Sequence, residues 1–328
     1  MNDNYLFSLP DIVVKFLNYQ SNVKNKSELT LDEYSLDLRL FIKFLEISKI
    51  KSKFSDEDLE NVDITLIGVD YFKNITLDDA YRFLSYCKNQ RSNKERARAR
   101  KVSSIRTFFK YLKVNGYIDD NPMINLDSPK LKKSLPKYLT IDQAKKLLQS
   151  VDGVHKARDY CILTLFLNCG LRLSELVSID YNKIKFNENE DIATVIITGK
   201  GNKERTVYLN KACIYAIKAY MKVRPVDGVV DKDALFLSNR LTRISNKTVQ
   251  HLVDVYLDKA GLGGMGFSVH KLRHTAATLM YQTGEVDVLE LKEILGHENL
   301  NTTQIYTHLQ DEKLKKAVSS NPLSDFSD

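Results

Sequence analysis

Six residues within the 135 positions from 172 to 306 carry the side chains best suited to chemistry: Arg172, Lys200, His270, Arg273, His297 and Tyr306. Their contexts are Cys169-Gly-Leu-Arg-Leu-Ser-Glu-Leu176, Gly199-Lys-Gly-Asn-Lys-Glu-Arg205, His270-Lys-Leu-Arg-His274, Leu295-Gly-His297 and Gln304-Ile-Tyr306. Cations and imidazoles in such a set suit one phosphodiester, and a tyrosine nine residues beyond the last of these histidines supplies an attacking oxygen. A phenol with a pKa of about 10 is a weak nucleophile at neutral pH and needs help. Guanidinium forks meet the charge that builds on the non-bridging phosphate oxygens, since their geometry is planar and their charge permanent. An ammonium such as that of Lys200 can hand a proton to the departing oxygen.

Local elements must hold these groups. Gly170 suits the left-handed position that closes a helix, so Arg172 would project from a fixed bend, with Glu175 three residues on to orient it. Arg273 follows His270 by three residues, which puts both on one side of a helix. Lys200 falls in a Gly-Lys-Gly-Asn turn between two β-branched or alternating runs, Ile192–Thr198 and Glu204–Leu209, which read as a hairpin. Tyr306 falls on a short helix expected over about 302–308.

Further helices are expected over 11–20, from Thr76 through Tyr81, Phe83 and Leu84, from Thr140, over 157–169, and over 210–223, 245–260, 271–283 and 287–295. Thr30-Leu-Asp-Glu33 reads as a capping box opening a helix that buries Leu36, Leu40, Phe41, Phe44 and Leu45. Ser92-Asn-Lys-Glu95 reads as another. The stretch 51–75 carries signal for one short helix, after Ser55. Residues 127–136, with two prolines and three lysines, read as a linker between a helical unit (1–126) and a mostly helical unit with a small sheet (137–328).

The most charged helix follows Ser92. Between Arg91 and Lys113 stand nine Lys or Arg and one Glu. Arg91, Lys94, Arg96, Arg98, Arg100, Lys101 and Arg106 are the candidate nucleic-acid contacts, above an apolar face of Ile105, Phe108, Phe109 and Leu112. A face of one sign points to phosphate neutralisation, whereas solvated helices alternate signs. The formal charge of +7 over 328 residues agrees with an anionic partner but is weak alone.

Other signals point away from other classes. Cys87, Cys161, Cys169 and Cys213 form no CxxC pair and read as small buried hydrophobes in a reducing cytosol. The N-terminus carries no basic-then-apolar signal segment, and no apolar run reaches the roughly 18 residues of a membrane helix, so a soluble cytoplasmic protein is expected. Gly261-Leu-Gly-Gly-Met-Gly266 spells a dinucleotide fingerprint, but it follows a helical pattern rather than a strand. His270 and His274 have zinc spacing, but no Glu stands between them and Arg273 would repel a cation. Neither metal nor cofactor is expected.

Four stretches together resemble the Xer-type tyrosine recombinases, the family that includes phage integrases: Gly170-Leu-Arg-Leu-Ser-Glu-Leu176, Gly199–Arg205, His270-Lys-Leu-Arg-His274 and Leu295–His308. The likeness spans roughly residues 10–315. It implies a mainly α chain with a helical core-binding domain and a mostly helical catalytic domain bearing a small antiparallel sheet. It implies that Tyr306 attacks DNA to form a 3′-phosphotyrosine and that Arg172, Arg273 and His297 hold the phosphate. Lys200 would be the general acid, His270 an acid–base partner and Glu175 a supporting carboxylate. The resemblance further implies a homo- or hetero-tetramer on a double-stranded recombination site, strand exchange through a Holliday junction, and a DNA translocase as a candidate activator. The tail 309–318 would dock on a neighbouring protomer. Chromosome-dimer resolution and mobile-element recombination both fit, and a type IB topoisomerase or a non-catalytic DNA-binding factor are the competing readings.

Overall fold

The computed structural model describes residues 8–130, 137–187, 192–198 and 204–296. The chain divides into two compact units, 1–133 and 134–328, with the division inside the proline- and lysine-rich segment.

The first unit is helical among its described residues: α1 (Asp11–Asn22), α2 (Glu28–Ile50), α3 (Asp56–Glu60), α4 (Val69–Lys73), α5 (Leu77–Asn89) and α6 (Glu95–Val114). Its core is aromatic. Phe16 meets Phe108 edge-on with ring centroids 5.3 Å apart, and Phe41 meets Phe83 at 5.1 Å. Offset and edge contacts of this kind add to the burial of large apolar area. The helix expected from Thr76 starts there, with Thr76 as its cap and the Asp79 carboxylate accepting from the Thr76 backbone N–H.

Three expectations need correction. Ser27, not Thr30, caps α2, so the helix starts earlier. Leu38, Phe41, Ile42 and Leu45 then form the buried stripe, and Leu36 falls outside it at 49% exposure. The box expected at Ser92 does not form. Ser92 adopts a left-handed φ of 52° in turning the chain out of α5, and Lys94 becomes the uncapped start of α6. The stretch 51–75 holds two short helices rather than one. The first carries a Ser55–Asp58 capping box, and the second is anchored by Phe72, buried against Phe108 and Phe109.

The second unit contains α7 (Ile141–Gln149), α8 (Lys156–Cys169), α9 (Leu173–Val177), β1 (Ile184–Phe186), β2 (Ala193–Thr198), β3 (Glu204–Leu209), α10 (Lys211–Met221), α11 (Asn246–Lys259), α12 (Val269–Gln282) and α13 (Val288–Leu295). Helix α8 is the hub. It packs against α7, α10, α12 and β3, and Cys161, Ile162, Leu163, Leu165 and Phe166 along it are fully buried. The sheet is antiparallel in the order β1-β2-β3, one strand more than the expected hairpin. Ala193 pairs with Leu209 and Thr198 with Glu204, while β1 adds Ile184 opposite Val195. Alternation puts Ala193, Val195, Ile197, Val207 and Leu209 on the buried face. Ala277, Tyr281, Leu291 and Leu295 make a small apolar seam between α12 and α13.

All four cysteines are free and buried, with the sulfurs of Cys169 and Cys213 3.6 Å apart. Among the described residues no helix is long and apolar enough to cross a membrane.

Candidate active site

Helix α8 stops at Gly170, whose φ of +59° turns the chain sharply. A side chain there would be strained by the backbone and would put Cβ 2.8 Å from the Leu295 methyl, so glycine is required twice over. Two residues later Arg172 starts the five-residue helix α9, and Glu175 turns back on it. One Glu175 oxygen accepts the Arg172 backbone N–H at 2.8 Å, and the other accepts from Arg172 Nη1 at 2.6 Å. The chain direction out of the turn and the direction of the guanidinium are thus fixed by one carboxylate.

That carboxylate is only 1% exposed and serves more than one arginine. Arg205, on β3, donates from Nη2 to the same oxygen that holds the Arg172 backbone, at 3.0 Å. Arg273, on the first turn of α12, brings Nη1 within 3.7 Å of that oxygen. Arg172 and Arg273 lie 101 positions apart in sequence, yet both guanidiniums reach one carboxylate. Burial alone would push the Glu175 carboxyl up. The Arg172 backbone N–H and the neighbouring guanidiniums outweigh it and hold the carboxyl below its ordinary value.

The same three arginines grip the end of α13. Arg205 Nη1 donates to the Ile294 carbonyl at 2.6 Å, Arg273 Nη2 to Leu295 at 2.7 Å and Arg172 Nη2 to Gly296 at 2.6 Å. Arg273 Nη1 also donates to the Gly170 carbonyl at 2.7 Å. The last carbonyls of a helix lack partners within it and carry the negative end of its dipole, so cations settle there. Asp287 caps the other end of α13 with both halves of a capping box. The chain leaves α13 through Gly296, at φ +64°, directly into His297.

His270 sits one turn before His274, with the two rings edge to face and their Nε2 atoms 3.1 Å apart. One imidazole donates and the other accepts, so the acceptor is neutral. His270 is accessible at the surface. Packing of its ring still strips part of its hydration, and Lys271 and Arg273 add like charge, so its pKa lies below the ordinary value.

The expected residues thus divide. Arg172, Glu175 and Arg273 meet in one cluster, with His270 in the same first turn of α12 as Arg273. Lys200, His297, Tyr306, the helix expected over 302–308 and the tail 309–318 lie outside the described residues. The glycine run 261–266 is a loop between α11 and α12, with Gly261, Gly264 and Gly266 at positive φ and no strand before it.

Arg91 and Lys94, just before α6, and Arg96 and Arg106, on it, are exposed, and Arg98 is half-buried. Lys101 is a correction: it is buried, its ammonium 2.7 Å from the wholly buried Asp37, which also accepts from Ser104. Arg100 reaches Asp37 at 2.9 Å and pairs with Glu33. An unpaired buried carboxylate is costly, so α6 spends two of its cations on α2 instead of on the outside. Arg91 also pairs with Asp56, at 2.8 Å on the surface.

Arg205 is the site residue that sequence reasoning missed. A signal existed: in β3 it shares the period-two face of Val207 and Leu209, and an arginine on a buried strand face must find an anion.

With the site described, its relatives are informative. Residues 137–313 match the phage integrase family. A tyrosine recombinase XerC of Caldanaerobacter subterraneus subsp. tengcongensis is 54% identical over 96% of this chain and 88% of its own. The chain belongs to the phage integrase family, as an Xer-type tyrosine recombinase. A second XerC, from Leptospira interrogans, is 31% identical over 94% of this chain and 92% of its own. Among solved tyrosine recombinase structures, XerH bound to its difH substrate before cleavage aligns with a TM-score of 0.67 at 25% identity, covering 94% of this chain and 84% of that one. A lambda integrase dimer bound to a core site has a TM-score of 0.62 at 16% identity, covering 90% and 75%, and shares the fold. The mainly helical, two-unit architecture with a small antiparallel sheet is that of the tyrosine recombinases.

Proposed function

We propose that this chain cuts and rejoins double-stranded DNA at a specific site, with Tyr306 as the nucleophile. The observation that carries the reading is the convergence of Arg172 and Arg273 on buried Glu175, at the helix end from which the chain runs on to His297. In this reading the Tyr306 Oη bonds to phosphorus and the P–O5′ bond breaks. Lys200 delivers the proton that the departing O5′ takes up, and His270, kept neutral, assists removal of the proton from the phenol. Arg172, Arg273 and His297 neutralise the charge on the non-bridging oxygens. Prearranged donors of this type are worth several kcal/mol of transition-state stabilisation. The bond energy is kept in the 3′-phosphotyrosine, and a 5′-hydroxyl of the partner duplex reverses the step, giving a Holliday junction. Arg91, Lys94, Arg96, Arg98 and Arg106 hold DNA backbone in the first unit.

The same proposal extends to biology. Likeness to proteins named XerC over nearly the whole chain supports resolution of chromosome dimers by a tetramer in the cytoplasm, with a DNA translocase as activator. Mobile-element recombination is the second reading, favoured by the match to the phage integrase family.

The test uses a nicked duplex carrying the site footprinted on the source genome, incubated with the protein in EDTA. A covalent adduct that disappears in Tyr306→Phe is the expected result. Tight binding without an adduct would mean a DNA-binding factor, and relaxation of supercoiled plasmid lacking the site would mean a topoisomerase.

A further inference from the structure

Arg205 has no part in the cleavage step proposed above, yet its guanidinium is held from two sides. Its stem lies against Gly296, where an added Cβ would stand 2.8 Å from both Cδ and Nε. One terminal nitrogen holds Glu175, and the other holds the Ile294 carbonyl. It stands opposite Ile197, one pair in from the end at which the chain passes from β2 to β3, and the segment between these strands contains Lys200. Three parts of the molecule therefore meet on one guanidinium: strand β3, the carboxylate that aims Arg172, and the helix end that precedes His297.

Resting on the reading above, we infer that Arg205 is a positioning residue for DNA cleavage, acting through Glu175 and α13 rather than by touching the phosphate. Its two contacts leave from different nitrogens to different partners, a geometry that a planar fork fixes and that one ammonium nitrogen does not reproduce. Without it, Glu175 loses one of the donors that fix its oxygen, and the orientation of Arg172 relaxes. Displacement of a catalytic group by about 1 Å can slow a reaction on the order of 10²-fold without a change in substrate binding.

The experiment compares wild type, Arg205→Met and Arg205→Lys on the nicked duplex of the footprinted site. Single-turnover adduct formation is measured at saturating protein, well below each melting temperature, with affinity taken separately from gel shifts. Arg205→Met should form adduct roughly 10²-fold more slowly while binding the duplex as tightly as wild type. Arg205→Lys should recover only part of that loss. Adding Arg205→Met to Glu175→Gln should cost less than it costs alone, since one of the two contacts of Arg205 is with Glu175 and is already weakened there. A wild-type rate in Arg205→Met would overturn the role. So would a loss that follows DNA affinity, or one that is fully additive with Glu175→Gln. If wild type itself forms no adduct, the recombinase reading fails first and this role falls with it.

Discussion

Replacing Glu175 with glutamine changes a single atom type at the point where three arginines meet, and its consequences follow from the hydrogen bonds. One carboxylate oxygen accepts the Arg172 backbone N–H and Arg205 Nη2, and the other accepts Arg172 Nη1. An amide has one acceptor. Turned to keep the first oxygen, it retains two bonds in weaker, neutral form and presents its NH₂ to Arg172 Nη1, donor against donor, across a 2.6 Å gap. Turned the other way, it sets its NH₂ against both the Arg172 backbone and Arg205. The first arrangement is the better one, and it expels the Arg172 guanidinium from its place. Loss of a charge-assisted bond costs about 1.5–3 kcal/mol, and leaving buried cations without their anion raises the total toward about 3–5 kcal/mol. For a unit of this size about 2–4 °C of melting temperature accompanies each kcal/mol, so Glu175→Gln should melt roughly 6–20 °C below wild type in a calorimeter or by circular dichroism. Adduct formation at a temperature where both proteins are folded should fall by roughly 10²–10³, the usual effect of losing one charge-stabilising donor. A melting point within a degree of wild type would refute the idea that this carboxylate organises the cluster.

Two further predictions separate neighbouring groups. Neutralising Arg106 should lower the slope of log affinity against log salt by about 0.9, whereas Lys101→Gln should leave that slope unchanged and lower stability instead, because its ammonium is spent on Asp37; salt titrations and thermal melts read both. The folded pKa of His270 lies below its unfolded value of about 6.5, so the unfolded chain takes up a proton first as the solution is acidified. Its contribution to stability is complete above about pH 6.5 and is lost as pH falls below it, so His270→Gln should narrow the difference in melting temperature between pH 7.5 and 5.5; an unchanged difference would contradict the depressed value.

Much of the architecture could be read from short-range chemistry. Thr76 with Asp79 and Thr140 with Gln143 mark helix starts, and Gly170 marks a stop, because capping involves residues three or four apart. The same locality explains why Arg172 and Glu175 were legible as a pair. Arg273 was legible as a candidate, but its union with Arg172 through Glu175 is a tertiary fact. The failures were of two kinds. At Thr30 and Ser92 the capping pattern was present, but a better cap at Ser27 and a turn already using Ser92 took precedence. At Lys101 and Arg205 charge was read by type and not by phase. Lys101 falls on the helical stripe of Ile105, Phe108 and Leu112, and Arg205 on the strand face of Val207 and Leu209; both positions turn inward, so each cation needed an internal anion. Helices of five residues, such as Val69–Lys73, are too short to display a period at all.

The arginines at the end of α13 also make a mechanical statement. A helix terminus is ordinarily the place where motion of the following chain dies out by fraying. Here the final carbonyls are held by Arg205, Arg273 and Arg172, the last two of which are the proposed phosphate ligands. Arg172 Nη2 is committed to Gly296, so a phosphate held by that guanidinium, as proposed, would pull on the very peptide that precedes His297. If the proposed roles hold, such linkage is reciprocal, and a shift of the peptide before His297 would also shift the Arg172 guanidinium.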